Sequence, residues 1–87
     1  MNPWQVVLTH PAERDLAKLP SKDQAAVSRS IDRLAADPSG VDMKKLAGKP
    51  DEWRLRVGDW RVRFAFDSET HAIFVLRVLP RGHAYRE

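Results

Sequence analysis

The sequence predicts an α+β fold: two N-terminal helices, forming a helical hairpin, packed on a mostly antiparallel four-stranded sheet, in the order β-α-α-β-β-β. Three observations predict it. Residues 53–64 alternate apolar and basic side chains around a central Gly58-Asp59, the pattern of a β-hairpin with a two-residue turn. Residues 12–19 and 27–35 carry apolar side chains at helical spacing. Residues 72–79 are almost continuously apolar, as in a strand at the middle of a sheet or covered on both faces.

The elements follow in order. Trp4-Gln-Val-Val-Leu-Thr9 is short, apolar and β-branched, and reads as the first strand. His10-Pro11 opens a helix, because proline is favoured in the first helical turn, and Ala12, Leu16 and Leu19 give that helix one buried stripe. Pro20 ends it. Ser21 with Gln24 three residues later forms the sequence of a capping box, so the second helix is expected to begin there. Its apolar stripe is Val27, Ile31, Leu34 and Ala35, and Asp37-Pro38-Ser39-Gly40 closes it. Val41 to Asp51 reads as a loop. The hairpin strands are expected at 53–57 and 60–66, a polar turn at 67–71, and the last strand at 72–79, followed by a short polar tail. Nothing resembling a repeat or a linker interrupts this order, so residues 1–87 are read as a single domain.

The central hairpin carries the chemistry. If Val57 pairs with Trp60, then Arg56 faces Arg61 and Arg54 faces Arg63, and period-two geometry puts all four guanidinium groups on one face. Trp53, Leu55, Val57, Trp60, Val62 and Phe64 fall on the other face and read as core. Like charges directly across strands destabilise a sheet. Two stacked pairs therefore point to an anionic partner, first of all a phosphate-bearing one.

Composition agrees. Residues 1–43 carry five basic against six acidic side chains, whereas residues 44–87 carry ten against six. A basic half of this kind points to nucleic acid or an acidic protein rather than a small neutral substrate. The chain has no cysteine, which excludes disulfides and thiolate metal sites, and its three histidines show no metal-binding spacing. No apolar run approaches the roughly 20 residues that cross a bilayer, and no signal-peptide pattern opens the chain. A soluble cytoplasmic protein with neither metal nor cofactor is the expectation.

Several words recur in a fixed order: Ala12-x-x-Asp15-Leu16-x-x-Leu19, Asp37-Pro38, Leu46-x-Gly48, Trp53-Arg-Leu-Arg-Val-Gly-Asp-Trp-Arg-Val62, and Val78-x-x-Arg81-x-x-x-Tyr85. In that order and spacing, over nearly the whole chain, the sequence resembles the RelE/ParE superfamily of bacterial toxins from type II toxin–antitoxin modules. The resemblance implies one of two activities. RelE-like members are ribosome-dependent mRNA endonucleases (mRNA interferases) that cut in the A site without a metal. ParE-like members poison DNA gyrase and lack the RNase residues.

By resemblance to the RelE-like branch, the catalytic residues are Arg61 on the third strand, Arg81 just after the fourth, and the C-terminal Tyr85, with His83 in a place where some relatives put a histidine. Arg54 and Arg56 match basic second-strand positions; the best-known members carry lysine there. Arg63, Lys44 and Lys45 are read with them as RNA- or phosphate-binding. Gly40-Val41-Asp42 matches, loosely, a loop where some relatives carry a catalytic carboxylate. Arginine suits phosphate but not proton transfer, since its pKa exceeds about 12. Tyr85 or His83 is therefore expected to move protons. The implied partners are a cognate antitoxin protein, in a toxin–antitoxin hetero-oligomer, together with the ribosome and mRNA, and no membrane. A gyrase poison and a non-catalytic RNA- or antitoxin-binding module are the alternatives.

Overall fold

The structure, a computed structural model, describes residues 3–49 and 51–82. Its elements are β1 (Gln5–Leu8), α1 (His10–Ala17), α2 (Ser21–Ala36), β2 (Met43–Lys45), β3 (Glu52–Val57), β4 (Trp60–Asp67) and β5 (Ala72–Pro80), with a 3₁₀ turn at Pro38–Gly40. One sheet runs β1-β5-β4-β3-β2, with β1 parallel to β5 and the other pairs antiparallel. The α+β class and the helical hairpin stand. Two details differ from expectation. There are five strands rather than four, in the order β-α-α-β-β-β-β, and the helices follow β1 instead of standing at the N-terminus. The additional strand is β2. Its three residues, Met-Lys-Lys, carry little intrinsic strand preference, and pairing with Leu55, Arg54 and Trp53 makes them a strand.

The core lies between the helices and one sheet face. Ala12, Leu19, Val27, Ile31, Leu34 and Ala35 meet Leu55, Val62, Phe64, Ile73, Val75 and Val78 there. Trp53, Val57 and Trp60 pack against this cluster while half-buried, as the alternation predicts. β5 reaches the core through an irregularity. Arg63 pairs with Arg77 but Phe64 pairs with Val75, so the register shifts and Leu76 has no opposite residue. This β-bulge lets Val75 and Val78, three positions apart, both turn inward. Thr9 fastens the bulge: its hydroxyl donates to Val75 O at 2.8 Å, with a longer contact to Leu76 O at 3.2 Å. The same oxygen accepts from Ala12 N–H and caps α1.

The capping box at Ser21 does not form. Pro20 occupies the cap position of α2 with no side-chain bond. The Gln24 amide instead reaches back to Leu19 O at 3.0 Å and Ala17 O at 3.4 Å, satisfying carbonyls left open at the end of α1.

Beyond Leu8 the outer edge of β5 has no strand beside it, and α1 covers it. Asp15 Oδ2 accepts from Val78 N–H at 3.0 Å and from Arg77 Nε at 2.7 Å, and Oδ1 accepts from Arg77 Nη2 at 3.2 Å. Burial alone would raise the Asp15 carboxyl. The hydrogen bonds from Arg77 and Val78, with the charges of Arg77 and Lys18, outweigh it and hold the carboxyl below its ordinary range. A carboxyl depressed in the folded state stabilises the fold above its unfolded pKa of about 3.9, and that contribution is lost as pH falls through the lower folded value. Asp15→Asn is expected to cost about 1–2 kcal/mol at neutral pH. In urea melts the gap to wild type should be constant above about pH 5 and shrink below about pH 4. An unchanged gap in acid would contradict this role for the charge.

Candidate phosphate-binding site

The hairpin register is the one the turn length implies. Arg54 pairs with Arg63, Arg56 with Arg61, and Val57 with Trp60. Gly58 takes φ +58° while Asp59 is not among the residues with positive φ, which fits a turn with glycine at its first position. A two-residue connection leaves no freedom of register, so the arginine pairs are fixed by the turn.

The arginines form two tiers on the face away from the helices. In the first, Lys44, Arg54, Arg63 and Arg77 lie side by side across β2, β3, β4 and β5. Each arginine of this tier meets a carboxylate. Arg54 Nη1 lies 3.3 Å from Asp42 Oδ1, Arg63 Nη2 lies 2.7 Å from Glu52 Oε1, and Arg77 is held by Asp15. Arg63 is only 4% exposed. Its repulsion of its neighbours is offset from within the fold.

The second tier lies nearer the turn and is different. Arg56 and Arg61 are paired across the hairpin, and the Arg81 backbone N–H donates to Asp59 O at 2.8 Å, which sets Arg81 beside the same turn. No carboxylate among the described residues forms an ion pair with Arg56, Arg61 or Arg81. Arg61 Nη1 donates to Gly58 O at 2.8 Å and to Trp60 O at 3.0 Å. Asp42 serves both tiers, since its backbone carbonyl accepts the Arg56 N–H at 2.9 Å while its carboxylate meets Arg54. Arg56, Arg61 and Arg81 thus have no carboxylate ion-pair partner among the described residues, and guanidinium groups in that condition suit an anion that can accept several N–H donors at once.

Of the residues read from sequence, Arg54, Arg56, Arg61, Arg63 and Arg81 are thus gathered on or beside one face. Lys44 stands next to Arg54 in register, and Lys45 pairs with Trp53 on the edge strand; both are exposed. His83 and Tyr85 lie outside the described residues. Among the described residues, no group of three His, Asp or Glu side chains is placed to hold a metal ion, and no helix is long and apolar enough to cross a membrane. The sequence reading missed Arg77, Glu52 and Asp15 as members of the face. Period-two alternation across the bulge conceals Arg77, and Asp15 is 62 residues away along the chain.

The family model for the ParE toxin of type II toxin–antitoxin systems, parDE, matches residues 6–85. The chain belongs to this toxin family, within the RelE/ParE superfamily. Toxin RelG of Mycobacterium tuberculosis is 34% identical over 88 residues, covering 97% of this chain and 98% of that protein. Toxin RelE of the same organism is 30% identical over 86 residues, covering 98% and 89%. Among solved structures, the toxin–antitoxin complex RelBE2 from Mycobacterium tuberculosis superposes with a TM-score of 0.83 at 34% identity, covering 93% of this toxin and 94% of that chain. The archaeal RelE–RelB complex from Pyrococcus horikoshii gives 0.78 at 28% identity, covering 94% and 99%. The toxin is therefore RelE-like and part of a type II toxin–antitoxin system.

Proposed function

We infer that the toxin is a ribosome-dependent mRNA endonuclease, working as a single domain over residues 1–87. The observation that carries this reading is the second tier: Arg56 and Arg61 are paired, the Arg81 backbone is bonded to the same turn, and none of the three has a carboxylate ion-pair partner among the described residues. In metal-independent RNA cleavage the ribose 2′-OH attacks its own 3′-phosphate. The P–O5′ bond breaks, leaving a 2′,3′-cyclic phosphate and a 5′-OH. Charge builds on the non-bridging oxygens of the phosphorane, and fixed cations stabilise it more than they stabilise the diester. Arg61 and Arg81 take this part, with Arg56 on the adjoining phosphate. Arg54, already paired with Asp42, and the exposed Lys44 beside it extend the contact along the RNA backbone, whereas Lys45, in register with Trp53, belongs to the other face and stands outside this contact. Arg63 is buried against Glu52 and supports the floor of the site. Proton transfer falls to Tyr85 or His83, since guanidinium groups stay charged at any physiological pH.

The partner that restrains the toxin is a cognate antitoxin, a reading supported by the toxin–antitoxin complexes among its structural neighbours. Such a partner meets an arginine face that needs anions, so acidic side chains at the second tier fit the same chemistry.

The matching family model, which describes a ParE toxin, favours a second reading: a gyrase poison with no RNase activity. Inducible expression separates the two. Mapping of mRNA 5′ ends alongside DNA supercoiling should show cuts within translated codons and unchanged supercoiling. Intact mRNA with a DNA-damage response would replace the nuclease by the gyrase reading.

A further inference from the structure

The β3–β4 turn does more than reverse the chain. Three consecutive carbonyls, those of Gly58, Asp59 and Trp60, accept bonds from the two arginines assigned to the phosphorane. Arg61 Nη1 donates to Gly58 O and Trp60 O, and the Arg81 N–H donates to Asp59 O between them. Nη1 carries two hydrogens, and both are engaged. A guanidinium has five N–H groups, so Arg61 keeps Nε–H and the two hydrogens of Nη2. These line the Nε/Nη2 edge, which can grip two oxygens of one phosphate side by side. The turn therefore holds Arg61 by one nitrogen and leaves a bidentate edge open.

Gly58 is glycine for the backbone and not for space. Its φ is +58°, and a Cβ added there would meet nothing within 4 Å. Gly58 and Asp59 are exposed, so the core does not dictate the turn's shape. Two-residue loops fix the flanking register, and a third residue would move all three carbonyls relative to Arg61 and Arg81.

We propose that the Gly58–Trp60 turn is the positioning element of the site. Its carbonyls aim the Arg61 guanidinium and set its separation from Arg81. The length of the turn is thus a requirement of cleavage, apart from its part in folding. The effect on cleavage rests on the nuclease reading; the two-arginine hold does not.

The test is one glycine inserted between Gly58 and Asp59, since three-residue loops also close hairpins. Single-turnover cleavage is measured on programmed ribosomes over a range of toxin concentration. In the free toxin, amide exchange at Arg81 and the side-chain N–H signals of Arg61 are followed by NMR. The saturating rate should fall about tenfold or more, because small displacements of positioning groups cost rate, while the half-saturating concentration moves less than about twofold. The Arg81 amide should exchange about tenfold faster or more, while Val62 and Phe64 stay protected and report an intact sheet. A folded insertion variant that cuts at the wild-type rate overturns the proposal. So does one that loses rate with the Arg81 and Arg61 signals unchanged. Should the wild type cut no mRNA, the nuclease reading falls by itself. The exchange measurement then decides alone, and persistent Arg81 protection in the variant refutes the hold.

Discussion

Arg61→Ala is expected to lower single-turnover mRNA cleavage by about 10²–10³-fold, equivalent to about 2.7–4 kcal/mol of transition-state stabilisation. The loss should lie in the saturating rate, because charge on the phosphorane oxygens exceeds that on the diester they replace. Arg81→Ala should behave alike, and Arg61→Lys should fall between, keeping the charge but not the planar fork. Arg54→Ala should cost far less, since Asp42 already offsets Arg54. Stability should change little. Arg56 and Arg61 face each other directly, and removing one relieves a repulsive cross-strand pair of up to about 1 kcal/mol, which offsets the loss of the Arg61 bonds to Gly58 O and Trp60 O. An inactive variant that melts no lower than wild type is the signature of a charge kept for function. Cleavage by folded Arg61→Ala within about threefold of wild type would remove Arg61 from the mechanism.

Much of this site is legible in the sequence because the turn is so short. With two residues between Val57 and Trp60, alternation alone gives the Arg54–Arg63 and Arg56–Arg61 pairs and assigns Leu55, Val62 and Phe64 to the core. What is not legible comes from long-range pairing. Nothing near Asp15 says that its carboxylate will close the edge of β5 and hold Arg77. Unbroken alternation from the β4–β5 turn would pair Arg63 with Leu76, and it is the bulge at Leu76 that brings Arg77 beside Arg63. Asp42 and Glu52 look like ordinary surface acids until β2 and β3 bring them to Arg54 and Arg63. The consequence is physical. Sequence presents one self-repelling arginine face, whereas the fold neutralises one tier and, among the described residues, gives the other no carboxylate partner.

That division depends on β4 keeping its place, which makes Phe64 the most sensitive core position. Phe64 is fully buried next to the bulge, opposite Trp53 on one side and Val75 on the other. Its ring meets Phe66 edge-on, with centroids 5.4 Å apart. Phe64→Ala is expected to cost about 3–5 kcal/mol, combining lost burial, lost ring contact and a cavity between two rigidly paired neighbours. Domains of this size are commonly stable by only about 5–15 kcal/mol, so the variant should sit close to its unfolding threshold. Each kcal/mol lowers the melting temperature of so small a domain by about 4–8 °C. Phe64→Leu, which fills most of the volume, should cost distinctly less in the same urea or thermal melts. The half-buried Trp53 and Trp60 should also tolerate truncation better than their size suggests, because part of each ring remains in water. A loss below about 1 kcal/mol in Phe64→Ala would mean that the sheet relaxes around the gap. The bulge, and with it the placement of Arg63 and Arg77, would then be held by Thr9 and Asp15 rather than by the ring.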